Sequence, residues 1–194
     1  MRYFSNNGFY AALLLCAITT AFPSCSKTNL KTAWSAQEDK IESFINSLPK
    51  EEDKENPDTP YAKDIVRNGG ANRVILQEGT GDGLKKGGSI TFYYAGYVFT
   101  GNLSASNLFA TNNSAQAEAA GWEVNEGDYT ARTVTLDDSK GGLVEGLRKG
   151  LEGVKTGEVC YILFSGQYGF GKKPFGVIPG NSALAYQIWV EKVS

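Results

Sequence analysis

The side-chain types this chain lacks narrow the acid–base, nucleophilic and metal chemistry open to it. None of the 194 residues is histidine. That removes Ser-His-Asp and Cys-His catalysis, and it rules out a zinc site with imidazole ligands. The three cysteines, Cys16, Cys25 and Cys160, are too far apart in sequence to form a CxxC redox motif or a zinc knuckle. Cys160 stands in an apolar run, so it reads as buried packing and not as a nucleophile. A formal net charge of −2 gives nucleic acid no electrostatic footprint, and Lys85-Lys86 and Lys172-Lys173 are too small to change that. What remains is aromatic and apolar, set among the glycines and proline of Gly169-Phe170-Gly171 and Ile178-Pro179-Gly180. Taken singly, such residues are more often core than binding site.

These residues need elements to position them. With 41% apolar and 21% charged residues, the chain suits one domain plus appendages, able to bury a core without disulfides. Residues 144–150 read as a short amphipathic helix and 157–164 as an apolar strand. A glycine- and proline-rich loop then leads to an alternating strand at 183–190. Upstream, 73–77, 89–99 and 133–136 look like strands, rich in β-branched and aromatic residues. Between them, 100–120 and 121–130 turn small and polar. Strands without βαβ alternation predict an α+β fold with an antiparallel sheet.

The amino terminus reads as an address. Arg2 precedes an almost unbroken apolar run from Phe9 to Phe22, shorter than the roughly 20 residues needed to cross a bilayer. Pro23-Ser24-Cys25 follows, and the chain then turns polar, the layout of an export signal. A small residue before a cysteine at this point resembles a bacterial lipobox, with Phe22 and Pro23 departing from the usual pattern. The resemblance implies a lipoprotein signal peptide over 1–24 and a lipidated Cys25. An ordinary cleaved signal or an uncleaved anchor are the alternatives. Residues 25–70 form an extension: a helix over about 35–48, opened by a capping box at Ser35 and Glu38, then an acidic linker. Ile41, Phe44, Ile45 and Leu48 give that helix one apolar face.

From Arg73 to Val193 the order of motifs resembles the FKBP family, the macrolide-binding peptidyl-prolyl isomerases. The marks are Tyr93-Tyr94-Ala95-Gly96, Leu143-Val144 opening the helix, the Phe170 and Ile178 loop, and Tyr186 on the last strand. The resemblance implies a domain over 71–194 whose antiparallel sheet wraps around one short helix. It implies a pocket of Tyr94, Phe109, Leu143, Val144, Leu147, Phe170, Ile178 and Tyr186, with the Val144 amide facing a substrate carbonyl. No acid–base residue, metal or cofactor is called for. Departures stand out: the pocket aspartate falls on Ala110, Phe170 lacks a tyrosine hydroxyl, and Leu147 replaces a tryptophan floor. The spacers before and after Phe109 are also longer than usual.

The expected activity is isomerisation of X–Pro bonds in cell-envelope proteins by a membrane-anchored enzyme, periplasmic or surface-facing. A catalytically weak or inactive peptide-binding module, and a structural lipoprotein with a closed core, are the competing readings. Proline-containing polypeptides are the implied partners, macrolide binding would be weakened, and nucleic acid is not expected.

Strand alternation adds one expectation. With Tyr94 facing the pocket, Ile90, Phe92, Cys160, Ile162, Phe164, Leu184, Ile188 and Val190 face inward. Tyr161, Leu163 and Trp189 then make the opposite face apolar, and the helix bearing Ile41 and Ile45 is expected to cover it, Trp189 included. The alternative occupants are a second copy or another protein.

Overall fold

Side-chain alternation divides the chain into two apolar surfaces, and a seven-stranded antiparallel sheet separates them. The computed structural model describes residues 24–50, 61–137 and 142–194. Its strands are β1 (Asp64–Asn68), β2 (Ala71–Gln77), β3 (Ser89–Val98), β4 (Leu108–Thr111), β5 (Arg132–Thr135), β6 (Val159–Phe164) and β7 (Leu184–Val193). The helices are α1 (Ser24–Ser47), α2 (Ser114–Ala119) and α3 (Glu145–Leu151). Spatial order is β1-β2-β6-β7-β3-β4, and β5 pairs with β3 at Ser89–Phe92, alongside the stretch that β4 takes. This is the α+β arrangement expected, with the amphipathic N-terminal helix present.

The inner face is built as alternation predicts. Ile90, Phe92, Cys160, Ile162, Phe164, Leu184, Ile188 and Val190 pack in one cluster with Leu147 and Leu151 of α3. Two glycines let α3 lie close to β6. A Cβ on Gly146 would sit 2.2 Å from Phe164 Cγ, and one on Gly150 would sit 2.2 Å from Ile162 Cγ2. Glycine inside a helix costs about 1 kcal/mol against alanine. Here that cost is offset by contact between helix and sheet.

On the outer face, Ile41 and Ile45 are buried against Val74, Leu76, Tyr161 and Leu163, with Phe44 and Leu48 packed beside them. Phe44 meets Phe99 edge-on at 5.4 Å. The helix therefore covers the back of β6, as expected. It does not cover Trp189, which packs with Ala95, Tyr97 and Leu108 in a separate cluster.

Two further differences have physical causes. α1 begins at Ser24, and Ser35 is an exposed mid-helix residue, not a cap. The half-buried positions Leu30, Trp34 and Gln37 continue the stripe of Ile41 and Ile45 toward the N-terminus at steps of three and four. The side chain of Glu38 serves elsewhere, accepting a hydrogen bond from Ser165 Oγ at 3.1 Å. The second difference is β1, which lies in the stretch assigned to the extension. It joins β2 through Gly69-Gly70, both at positive φ, in the two-residue turn that suits a right-twisted hairpin. Residues 1–23 of the expected signal and 51–60 of the expected linker lie outside the described residues.

Candidate functional site

At one end of the inner face, β3, β4, β5, the start of α3 and the loop between β6 and β7 enclose a cavity of about 340 Å³. All eight pocket residues named from the sequence line it: Tyr94, Phe109, Leu143, Val144, Leu147, Phe170, Ile178 and Tyr186.

Each wall has a local cause. Tyr186 on β7 lies directly across from Gly96 on β3. A Cβ at Gly96 would come within 2.8 Å of Phe109 Cζ and 2.9 Å of Tyr186 Cε1, so the bare glycine makes room for both rings. Phe109 meets Tyr186 edge-on at 5.8 Å and Phe170 edge-on at 6.3 Å. Phe164 stacks behind Tyr186 at 6.0 Å, and Tyr94 tilts against it at 6.4 Å. Such contacts fix ring orientation as well as burying area. Val144 is the extended N-cap of α3, and the buried Leu147 closes the floor.

The loop that carries Phe170 and Ile178 is pinned at both ends. Gly171 accepts from the Asn181 amide at 2.7 Å, and Phe175 and Ile178 exchange two backbone bonds of 3.0 Å. That tight turn uses Gly176 at φ +57°. It leaves Phe175 61% and Val177 79% exposed at the cavity mouth, with Phe175 stacked on Phe170 at 4.6 Å.

Asn112 fastens the opposite rim. Its Oδ1 accepts from the Tyr94 amide at 2.6 Å, while its Nδ2 donates to the carbonyls of Phe92 (3.1 Å) and Thr130 (2.8 Å). The long insertion therefore leaves and rejoins the sheet at the cavity wall. Sequence reasoning placed Asn112 in a variable polar stretch, and nothing in its local pattern marks this role. It also passed over Phe92, Arg132, Phe175 and Val177 as lining residues. For Arg132 a signal existed, because alternation from Val134 two residues back puts it on the inner face.

Chemically the cavity can desolvate and hold an apolar group. Burial, with Tyr94 adjacent, pushes the Tyr186 phenol far above its ordinary range, so it stays protonated. Arg132 is the one charged residue among the described residues of the lining, and Ala110 stands in the wall beside Phe109. Cys160 is buried in the core, where desolvation pushes its thiol well up and keeps it unreactive. Among the described residues no group of three His, Cys, Asp or Glu side chains could hold a metal ion. Cys25 lies in the first turn of α1. No described helix is long and apolar enough to cross a membrane.

Residues 81–191 match the profile of the family described as FKBP-type peptidyl-prolyl cis-trans isomerase. The chain belongs to this family. FK506-binding protein 1 of Gibberella zeae is 25% identical over 125 residues, spanning 64% of this chain and 98% of that protein. Peptidyl-prolyl cis-trans isomerase FKBP12 of Vicia faba is 27% identical over 124 residues, spanning 62% of this chain and 96% of its own. Among solved structures, FkpA from Escherichia coli aligns at a TM-score of 0.51 and 18% identity, covering 88% of this chain and 65% of that one. A peptidyl-prolyl cis-trans isomerase from Pseudomonas syringae pv. tomato aligns at 0.52 and 17% identity, over 84% of this chain and 95% of its own. At such identities the two structures speak for the fold.

Proposed function

We propose that this protein is a peptidyl-prolyl isomerase acting on X–Pro bonds of cell-envelope polypeptides in a bacterium, held to a membrane by a lipid on Cys25. Family membership supplies the reaction class. The observation that carries the reading is the cavity itself: eight residues named from motif order line one apolar hollow of about 340 Å³. Ligand sites commonly enclose about 300–1,000 Å³, so the hollow suits a proline and its neighbour.

The mechanism follows from amide resonance. Conjugation holds the X–Pro bond planar behind a barrier of roughly 18–20 kcal/mol. The twisted amide at the top of that barrier has lost conjugation and carries less charge on its carbonyl oxygen. A dry, aromatic-walled cavity disfavours the polar planar form relative to the twisted one. Tyr94, Phe109, Phe170, Ile178 and Tyr186 seat the proline ring, Leu147 forms the floor, and the Val144 amide donates to a substrate carbonyl. Each tenfold in rate requires about 1.4 kcal/mol of such differential binding.

Three departures from the family pattern support a second reading, a binding module of weak or no turnover. Ala110 stands where the family has an aspartate, Phe170 lacks a hydroxyl, and Leu147 replaces an indole. The same changes weaken macrolide binding. An exchange or protease-coupled assay on an Ala-Leu-Pro-Phe peptide separates the readings. The expected result is acceleration over buffer, reduced about tenfold, or about 1.4 kcal/mol, in Tyr94→Ala and Phe170→Ala. Buffer rates with retained binding select the module; absence of binding selects a closed structural lipoprotein. The anchor is tested by fatty-acid labelling in cells, which Cys25→Ala should abolish.

A further inference from the structure

The charge of the pocket wall is the least expected feature of this site. Arg132 lies directly opposite Phe92 in the pairing of β5 with β3, as Val134 lies opposite Ile90. Opposed residues of antiparallel strands project to the same face. Arg132 therefore stands on the apolar inner face, one step toward the cavity from the buried Val134. A Cβ added to Gly142 would sit 3.7 Å from Arg132 Nη2, which places the guanidinium beside the chain that runs into Leu143 and Val144. No carboxylate is present among the described lining residues, and none pairs with Arg132 among the described ion pairs. Across the mouth, the loop bearing Phe175 and Val177 adds the exposed Lys172 and Lys173. Among the described residues the cavity thus presents an exposed planar cation without an ion-pair partner, with apolar walls behind it.

Resting on the proposed peptide-binding role of the cavity, we infer that Arg132 makes the site selective for segments in which an aspartate or glutamate neighbours the proline. The guanidinium offers a fork of N–H donors matched to a carboxylate, and among the described residues no acidic acceptor needs displacing from it. Arg132 is exposed at the rim of the cavity, so solvent screens that pairing, and the loop lysines raise the encounter rate with acidic segments. Neutral proline peptides still enter, because the ring is held by the aromatic walls. They lack only the charged contact.

The test is a peptide panel on the full mature chain: Ala-Glu-Pro-Phe against Ala-Gln-Pro-Phe, and Ala-Leu-Pro-Glu against Ala-Leu-Pro-Gln. Binding is read by NMR titration and turnover by exchange, each normalised to the peptide's rate in buffer. In at least one pair the acidic peptide should be favoured by about two- to fivefold, the range for an exposed charged contact. Arg132→Gln should erase that ratio, Arg132→Glu should invert it, and added salt should shrink it. Equal handling of both pairs overturns the inference, as does an Arg132→Gln variant that weakens acidic and neutral peptides alike. If no peptide is turned over but the acidic ones still bind more tightly, the selectivity stands and the catalytic reading falls. Absence of binding by every peptide overturns both.

Discussion

Arg73 and Glu158 form a buried charge pair behind the helix that floors the pocket. Arg73 Nη1 donates to the carbonyls of Gly150 (3.1 Å) and Glu152 (2.7 Å), closing the C-terminal end of α3. Its Nε lies 3.3 Å from Glu158 Oε1, close enough for ion pairing but outside good hydrogen-bond geometry. The Lys155 amide donates to the other oxygen of Glu158 at 3.1 Å. Burial raises the Glu158 carboxyl above its ordinary value, more than Arg73 and these neighbours lower it. Glu158→Gln should cost about 3 kcal/mol at pH 7, because it leaves the buried Arg73 guanidinium without its anion. Arg73→Ala should cost about 3–5 kcal/mol, since it strips α3 of its cap and leaves Glu158 without its cation. The pH dependence has a defined sign. A raised folded-state value means this group's stabilisation is complete below the ordinary carboxylate range and declines as pH rises through the folded value. Denaturant titrations across that window should show the decline in wild type and a flatter profile in Glu158→Gln.

Among the elements, α1 does more than cover apolar strands. The Gly166 amide donates to Gln37 Oε1 at 2.8 Å, and Gln37 Nε2 donates to the Asn181 carbonyl at 2.8 Å. These residues are the two ends of the loop that carries Phe170, Phe175 and Ile178, and they nearly touch: a Cβ on Gly166 would lie 2.0 Å from the Asn181 oxygen. One amide side chain thus bridges the base of the pocket loop. Gln37→Ala should lower global stability by about 1–2 kcal/mol and speed hydrogen exchange at residues 170–178 beyond that global change. Exchange quickened equally across the sheet would contradict the bridge. The sequence showed the long strands well: β3 and β7 as runs with a buried face, and β6 as a continuous apolar run because both of its faces are buried. It was less informative where the cause is not local. The four residues of β4 carry too short a pattern, the Gln37 bridge joins groups far apart in the chain, and the capping box at Ser35 was outweighed by a longer apolar stripe. Of the site, the aromatic walls were legible from motif order. Arg132 was passed over although alternation from Val134 marked its face, because a charged residue at a strand end ordinarily reads as solvent-facing.

At the scale of the molecule the sheet has two occupied faces with different tasks. The outer face of β2 and β6 is covered by α1, while the inner face packs on α3 and opens at one end into the cavity. If Cys25 carries the proposed lipid, about a dozen residues separate it from Gln37. At about 1.5 Å per helical residue, the domain sits within roughly 20 Å of the bilayer. The central claim is narrower than location: an X–Pro segment binds in the hollow between α3 and the sheet. NMR shift mapping of the mature chain titrated with a proline peptide tests this most directly. The account predicts perturbed signals clustered at Tyr94, Phe109, Val144, Phe170, Ile178 and Tyr186, with α1 unmoved between Glu38 and Ser47. Shifts centred on α1 and the outer face, with the cavity residues silent, would contradict it.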